Sequence, residues 1–261
     1  MNDLERYFRQ NDKKLIHKWV HYFEAYDRHF SRFRNKKIVI LEIGVSQGGS
    51  LQMWKDYFGN EAMIYGIDVN PKCKELEEEN IKIFIGSQSD RNFLKDIKKQ
   101  IPPIDILIDD GGHRMVQQIV SFEELFDHVK EDGVYLCEDL HTSYWLEYGG
   151  GFKRRGTFIE YSKTFIDYLN AHHSEQKSLS VNSFTKSVDS IHYYDSIIVI
   201  EKRKRPKPHD EKTGHPTVQA SAPKPKKRGM VEEVSRSIKH NAIALTNRLL
   251  RFFRLRSIIW R

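Results

Sequence analysis

The chain has 261 residues, of which 39% are hydrophobic and 30% are charged, a composition that supports a packed core and excludes a disordered chain or a coiled-coil fibre. The length predicts one catalytic-sized domain with extensions rather than two large domains. Residues 202–261 contain 17 Lys and Arg against 4 Asp and Glu, so the net charge of +7 comes from the C-terminal region and the preceding residues are acidic. The basic character therefore says nothing about an active site.

No run of about 18 apolar residues occurs, and the first residues carry charges where a signal peptide would be apolar. We therefore expect a cytoplasmic protein. Cys73 and Cys137 lie far apart and form no Cys-x-x-Cys pair, which argues against a disulfide framework and against a thiolate zinc site.

Short apolar runs alternate with helical patterns through the first 200 residues. Residues 4–34 carry aromatic residues at helical spacing and predict one or two amphipathic helices packed on the main domain. The predicted strands that follow are KKIVILEIG, AMIYGIDVN, IKIFIG, IDILIDD and GVYLCED. Strands of this kind separated by helices predict an α/β fold with a doubly wound, Rossmann-like and mostly parallel sheet. Two closely spaced strands before residue 202 predict an antiparallel C-terminal hairpin at the sheet edge.

The chain divides by composition into four segments. We expect an N-terminal helical extension over residues 1–36, the main domain over 37–202, a disordered basic linker over 203–230 and a basic amphipathic helix over 231–261. The helix could contact the inner face of a membrane, since anionic lipids attract each Lys or Arg by ~1 kcal/mol. A protein partner is the alternative, and nucleic acid is disfavoured because the tail contains no recognition module.

The first predicted strand runs into Glu42-Ile43-Gly44-Val45-Ser46-Gln47-Gly48-Gly49-Ser50, where glycines allow backbone N–H groups to approach a ligand. Asp68 ends the next strand, where a carboxylate can accept hydrogen bonds from both ribose hydroxyls. The segment does not match the G-x-G-x-x-G motif of nicotinamide-dependent enzymes, because Ser46 stands where that motif has its second glycine. The pattern instead resembles the first motif of class I S-adenosylmethionine-dependent methyltransferases. The cofactor residues implied are Glu42, Gly44, Ser50 and Asp68, with Gln88 beside the adenine.

Carboxylates follow two neighbouring strands, in Asp109-Asp110-Gly111-Gly112-His113 and in Glu138-Asp139-Leu140-His141. Because parallel strands end at the same edge of a sheet, these side chains should face one crevice, where unpaired they would repel one another. A divalent cation relieves that repulsion, and oxygen ligands favour magnesium, manganese or calcium over zinc. Asp109 is a candidate to bind the amino group of the cofactor or to orient a neighbouring ligand. Helix caps and ion pairs are the structural alternative.

Residues 37–202 resemble the metal-dependent O-methyltransferases that act on macrolide sugars in mycinamicin-type and tylosin-type pathways and, more distantly, cephalosporin-hydroxylase-like proteins. The resemblance rests on LEIGVSQGGSLQMW, YGIDVNP, LIDDGGH, EDLHTSYW and IHYYDSIIVIEK. It implies S-adenosylmethionine and Mg²⁺ as cofactors, a sugar-containing acceptor and a homo-oligomer. It assigns the metal to Asp110, Glu138 and Asp139 and the general base to His113. A non-catalytic scaffold acting through its tail and a hydroxylase-like enzyme are the alternatives.

Overall fold

Seven strands form one sheet in the computed structural model, which describes residues 1–218 and 230–252. In chain order the strands are β1 (Val39–Ile43), β2 (Met63–Asp68), β3 (Ile81–Ile85), β4 (Ile104–Asp109), β5 (Val129–Cys137), β6 (Val188–Tyr194) and β7 (Ile197–Lys202). They lie in the order β3-β2-β1-β4-β5-β7-β6. Strands β1 to β5 are parallel, whereas β7 runs antiparallel to both β5 and β6. The predicted α/β sheet with its antiparallel hairpin is confirmed.

The described helices before residue 203 cover both faces of this sheet, and one further helix belongs to a separate C-terminal unit. In chain order they are α1 (Asp3–Gln10), α2 (Tyr22–Phe30), α3 (Gly49–Phe58), α4 (Arg91–Gln100), α5 (Met115–Leu125), α6 (Phe158–Ser162), α7 (Thr164–Leu169), α8 (Ser183–Ser187) and α9 (Met230–Phe252). The segment between β2 and β3 contains a 3₁₀ turn, Pro71–Leu76. Asp90 caps the start of helix α4, where its carboxylate accepts hydrogen bonds from the N–H groups of Asn92 and Phe93. The first N–H groups of a helix have no partner within the helix, so this cap pairs two of them.

The N-terminal aromatic residues belong to the core. Tyr22, Phe23, Tyr26 and Phe30 are buried on α2 in the same apolar cluster as Trp54 of α3, and their rings meet edge to face or stacked. A second cluster fills the other face of the sheet. Burial of large rings is among the strongest contributions to folding, so helix α2 is an integral part of the main domain.

Residues 11–21 join α1 to α2 without forming a helix, although Leu15 and Trp19 continue the helical spacing in the sequence. Both side chains are exposed. The segment passes over the start of α3, where a Cβ on Gly49 would lie 2.3 Å from the carbonyl oxygen of Leu15. Close backbone contact with α3, rather than an amphipathic face, therefore fixes the course of this segment.

The described residues beyond Pro208, with Glu175–Ser178, form a unit separate from the main body. Residues 203–218 contain no helix or strand, while 219–229 of the predicted linker and 253–261 of the predicted helix lie outside the described residues. On α9 the exposed apolar side chains are Val231, Val234, Ile238, Leu245 and Leu249. Among the described helices, none has both the length and the apolar character needed to cross a bilayer.

Candidate active site

The loops at the carboxyl ends of the parallel strands surround a cavity of about 360 Å³, within the ~300–1,000 Å³ common for small-molecule sites. Seven sequence-predicted residues line it: Gly44, Ser50, Asp68, Gln88, Asp110, His113 and Asp139. The other three, Glu42, Asp109 and Glu138, are almost fully buried next to it. Residues 15–18 of the N-terminal segment close one side of the cavity, which no motif in the sequence indicated.

The turn after β1 is held by Asp68. Ser46 has a positive φ of 50°, and its N–H donates to Asp68 Oδ2 at 2.9 Å, while Asp68 Oδ1 accepts from the N–H of Asn70 at 2.8 Å. Gly44 has a φ of +97°, and an added Cβ would lie 2.0 Å from the carbonyl oxygen of Asp110. Only glycine fits this contact between the β1 and β4 loops.

Gln88, in the loop after β3, connects the end of β4 and the loop after it to helix α5. Its Nε2 donates to Asp109 Oδ1 and to Ser121 Oγ, both at 2.9 Å, and its Oε1 accepts from the N–H of Gly112 at 2.8 Å. Asp109 is 1% exposed, and its Oδ2 has no hydrogen-bond partner among the described residues. Burial raises the pKa of Asp109 to about 7. Asp109 thus lies in the floor, where Gln88 fixes it.

Glu42 lies beneath the cavity as well. Its Oε2 accepts from Ser50 Oγ at 2.8 Å and its Oε1 from Trp54 Nε1 at 3.1 Å, and burial raises the pKa of this carboxyl group. Glu42 therefore connects β1 to the first turn of α3.

Asp110, His113 and Asp139 form a group at the cavity that could bind a cation, with one ligand atom from each lying within 4.8 Å of the others. His113 Nε2 is 3.3 Å from Asp139 Oδ2 and 3.8 Å from Asp110 Oδ1. The Tyr22 hydroxyl donates to Asp139 Oδ1 at 2.7 Å. His113 and Asp139 both have a positive φ, 55° and 56°, a conformation that costs about 1–3 kcal/mol per residue and occurs preferentially at functional sites.

The Glu138 carboxylate pairs with Lys18, which also contacts Asp110. Lys18 Nζ donates to Asp110 Oδ2 at 2.5 Å and to Glu138 Oε1 at 2.8 Å, and it lies 3.9 Å from Glu42 Oε1. Burial raises the pKa of Asp110 to about 7 and that of Glu138 to about 8. Burial alone would lower the pKa of Lys18, but the three carboxylates outweigh it and raise the pKa above the usual value.

The donor set fits a divalent cation. Asp110 and Asp139 offer the hard carboxylate oxygens that Mg²⁺ and Mn²⁺ prefer, and three carboxylates, those of Glu42, Asp110 and Glu138, surround the Lys18 ammonium. His113 is mostly buried and burial lowers its pKa, which favours the neutral imidazole needed to accept a proton. The buried Nδ1 of His113 has no partner among the described residues.

A second cavity, of about 450 Å³, lies beside His141 and is lined by Leu140, Tyr144, Ile159, Tyr193 and Tyr194 among others. The His141 imidazole Nδ1 is 2.5 Å from Ser196 Oγ, and its ring packs edge to face against Trp19 and Trp145. Tyr144 and Trp145 are about half exposed. Aromatic faces therefore lie beside the carboxylate group.

Comparison with known proteins finds sugar methyltransferases. The chain is 35% identical over 204 residues to the 8-demethyl-8-alpha-L-rhamnosyl tetracenomycin-C 2'-O-methyltransferase of Streptomyces olivaceus, a match covering 74% of this chain and 52% of that protein. It is 36% identical over 202 residues to the demethylmacrocin O-methyltransferase of Streptomyces fradiae, covering 72% and 51%. It is 36% identical over 198 residues to the mycinamicin VI 2''-O-methyltransferase of Micromonospora griseorubida, covering 70% and 49%. The chain spans about half the length of these relatives.

The solved structures agree. A MycE methyltransferase from the mycinamycin biosynthetic pathway, in complex with Mg, SAH and mycinamycin VI, is 31% identical with a TM-score of 0.68, covering 90% of this chain and 58% of that chain. The same methyltransferase with Mg and SAH is 32% identical with a TM-score of 0.68, covering 77% and 54%. No protein-family model matches the chain.

Proposed function

This chain has the class I methyltransferase fold and is a homologue of the sugar O-methyltransferases of antibiotic pathways, and from that premise we propose that it methylates a sugar hydroxyl with S-adenosylmethionine and a divalent cation. The observation that carries the proposal is the meeting of Asp68 with Asp110, His113 and Asp139 around one cavity at the carboxyl edge of the sheet. The nucleoside site and the cation site that we propose would thus adjoin, as transfer to a coordinated hydroxyl requires.

S-adenosylmethionine, when bound, supplies an electrophilic methyl group. We propose that the Asp68 carboxylate accepts the ribose hydroxyls, since it lines the cavity and already holds the neighbouring turn through Ser46. Gly44 and Ser50 line the cavity at the turn after β1 and at the start of α3, and Gln88 faces the adenine. Glu42 and Asp109 act from below: Glu42 holds Ser50, and Asp109 is held by Gln88.

Asp110 and Asp139 would hold the cation, with Glu138 as the third ligand once its carboxylate is free of Lys18. When bound, the cation would lower the pKa of an acceptor hydroxyl. His113 accepts the hydroxyl proton at Nε2, and burial favours its neutral form. Tyr22 fixes Asp139 through its hydroxyl, so the carboxylate needs little reorganisation.

We propose that the acceptor is a glycan or a glycosylated metabolite. Support comes from the relatives, which act on sugars, and from the aromatic side chains beside Asp139, since flat rings such as Tyr144 and Trp145 can pack against the C–H face of a sugar. The second cavity next to His141 has room for a further ring of such an acceptor.

Calorimetric titration tests the cofactor and metal assignments. Asp68→Asn should weaken S-adenosylmethionine binding about 30-fold to 1,000-fold, because two hydrogen bonds to a charged acceptor contribute about 2–4 kcal/mol. Asp110→Asn should abolish Mn²⁺ binding and keep the cofactor. Asp90→Asn, which removes an exposed carboxylate at the same sheet edge, is the matched control for both ligands. A wild-type chain that binds neither ligand refutes the catalytic proposal and leaves the non-catalytic scaffold as its replacement.

An assay of methyl transfer distinguishes the proposed methyltransferase from the hydroxylase-like alternative. Radiolabelled S-adenosylmethionine should label a panel of rhamnosides and deoxysugar glycosides in the presence of Mg²⁺. Conversion of the acceptor to a hydroxylated product without incorporation of the label would instead support a hydroxylase-like activity.

For the tail we propose contact with an anionic membrane surface on the cytoplasmic side. The exposed apolar side chains of α9 include Ile238 and Leu245, and Lys239 on the same helix is also exposed. Residues 202–261, which include α9, contain 17 Lys and Arg against 4 Asp and Glu. The 261-residue chain should co-sediment with phosphatidylserine vesicles, and Ile238→Glu should abolish this. Ser237→Glu, with the same charge change, should reduce it by less than threefold. Absence of vesicle binding by the wild type would favour a protein partner. The homo-oligomer stays a prediction, for which light scattering is the measurement.

A further inference from the structure

Lys18 is a buried ammonium at the candidate metal site. Its side chain is 3% exposed, although it lies on the irregular segment between α1 and α2. A lysine is almost never buried unless it is paired, and here it is paired with Asp110 at 2.5 Å and with Glu138 at 2.8 Å. These are two of the three carboxylates assigned above to the cation.

Only one positive group at a time can occupy the position between Asp110 Oδ2 and Glu138 Oε1. Magnesium binds its oxygen ligands at about 2.0–2.1 Å, so an ion bound to Asp110 Oδ2 and Glu138 Oε1 would fall in nearly the same volume as Lys18 Nζ. Two positive groups sharing the same two oxygens would also repel each other strongly, because the Lys18 and Glu138 side chains are almost fully buried. The ammonium and a metal ion bound to both carboxylates are therefore alternatives.

Glu42 gives Lys18 a third partner. Its carboxylate lies 3.9 Å from Nζ and stays anchored by Ser50 and Trp54, so a small shift of the lysine side chain toward Glu42 keeps the ammonium paired. A long, flexible side chain can make such a shift without moving the backbone.

We propose that Lys18 is an internal counter-ion that competes with the divalent cation for Asp110 and Glu138 and so sets how tightly the chain binds metal. The inference rests on the proposed metal-assisted function. Without metal, the lysine neutralises carboxylates that would otherwise repel one another; with metal, it withdraws to Glu42. Glu138 becomes available as a ligand only when the lysine leaves.

Titration of Mn²⁺ into the full chain tests the competition, with binding followed by calorimetry and by the Mn²⁺ paramagnetic resonance signal. Lys18→Met should bind Mn²⁺ at least tenfold more tightly than the wild type. Lys14→Met is the matched control, since Lys14 is on the same segment, half-buried and 3.6 Å from Glu78, and it should stay within twofold of the wild type.

Equal or weaker Mn²⁺ binding by Lys18→Met overturns the competition and leaves the metal site of the proposed function intact. No Mn²⁺ binding by any variant overturns both. If Lys18→Met does not fold, a crystal structure of the wild type with Mn²⁺ tests the competition instead. The anomalous peak of Mn²⁺ should lie within bonding distance of the Asp110 and Glu138 carboxylates, and Lys18 Nζ should have moved toward Glu42. Lys18 remaining in contact with both carboxylates beside bound Mn²⁺ would overturn the inference.

Discussion

Replacement of Gly44 by alanine tests the close contact between the β1 and β4 loops. The φ of +97° costs an L-residue about 1–2 kcal/mol. The added Cβ would lie 2.0 Å from the carbonyl oxygen of Asp110 and 2.7 Å from its carbonyl carbon, so the β4 loop must shift. Overpacking of this kind costs about 1–3 kcal/mol. The expected loss in the free energy of unfolding is therefore about 2–5 kcal/mol.

Gly156→Ala separates the two contributions. Gly156 also has a positive φ, +86°, but an added Cβ there meets nothing within 4 Å. Both substitutions restrict the unfolded chain to the same degree, so this effect cancels in the comparison. Gly156→Ala should cost only the dihedral term of about 1–2 kcal/mol, and the difference between the variants should be about 1–3 kcal/mol.

Urea unfolding followed by tryptophan fluorescence measures both variants, and Mn²⁺ titration gives a second readout. Gly44→Ala should weaken Mn²⁺ binding because Asp110 moves with its carbonyl group, whereas Gly156→Ala should leave it unchanged. Destabilisation of the two variants by amounts equal within about 0.5 kcal/mol would refute the contact.

Two further variants test the rest of the structure. Hydrogen bonds from His29 and Arg32 lower the pKa of Glu201 to about 2. The Glu201 carboxylate therefore stabilises the fold at pH values above its pKa in the unfolded chain, which is near 4.5. Glu201→Gln should therefore cost about 1–2 kcal/mol at pH 7, a difference from wild type that shrinks between about pH 5 and about pH 2; a pH-independent difference in urea unfolding would contradict it. Gln88→Leu removes a hydrogen bond from the buried Asp109 carboxyl group and one from the partly buried N–H of Gly112, and it should cost about 2–4 kcal/mol with weaker S-adenosylmethionine binding. Gln100→Leu, on the exposed face of α4, should stay within about 0.5 kcal/mol of wild type in the same unfolding assay. Equal effects of the two glutamine variants would argue against the role of Gln88.

The sequence predicted the sheet and the edge where the site lies because both follow from local patterns. Apolar runs ending in Gly44, Asp68 and Asp110 identify strands whose carboxyl ends must meet in a parallel sheet. The side-chain direction of adjacent residues was harder to predict. Asp109 and Asp110 point to opposite sides, but helices cover both faces of the sheet, so alternation alone does not tell which of the two reaches the cavity.

Lys18 could not be predicted from the sequence. It is 92 residues from Asp110 and 120 from Glu138, and it lies in a segment whose aromatic spacing suggested a helix. Its position depends on how an irregular segment crosses the start of α3, a contact made by backbone atoms at Gly49. Local periodicity carries no information about such a contact.

The direction of β7 determines where additions to the protein can be attached. Since β7 runs against β5, its first residues pair with the end of β5 at the crevice, whereas Lys202 lies about 14 Å away, four residues along the strand. Any fused reporter or surface tether that replaces the chain beyond Lys202 would thus be joined at the end of the strands that faces away from the crevice. Labels and immobilisation tags for ligand-binding work are best placed there.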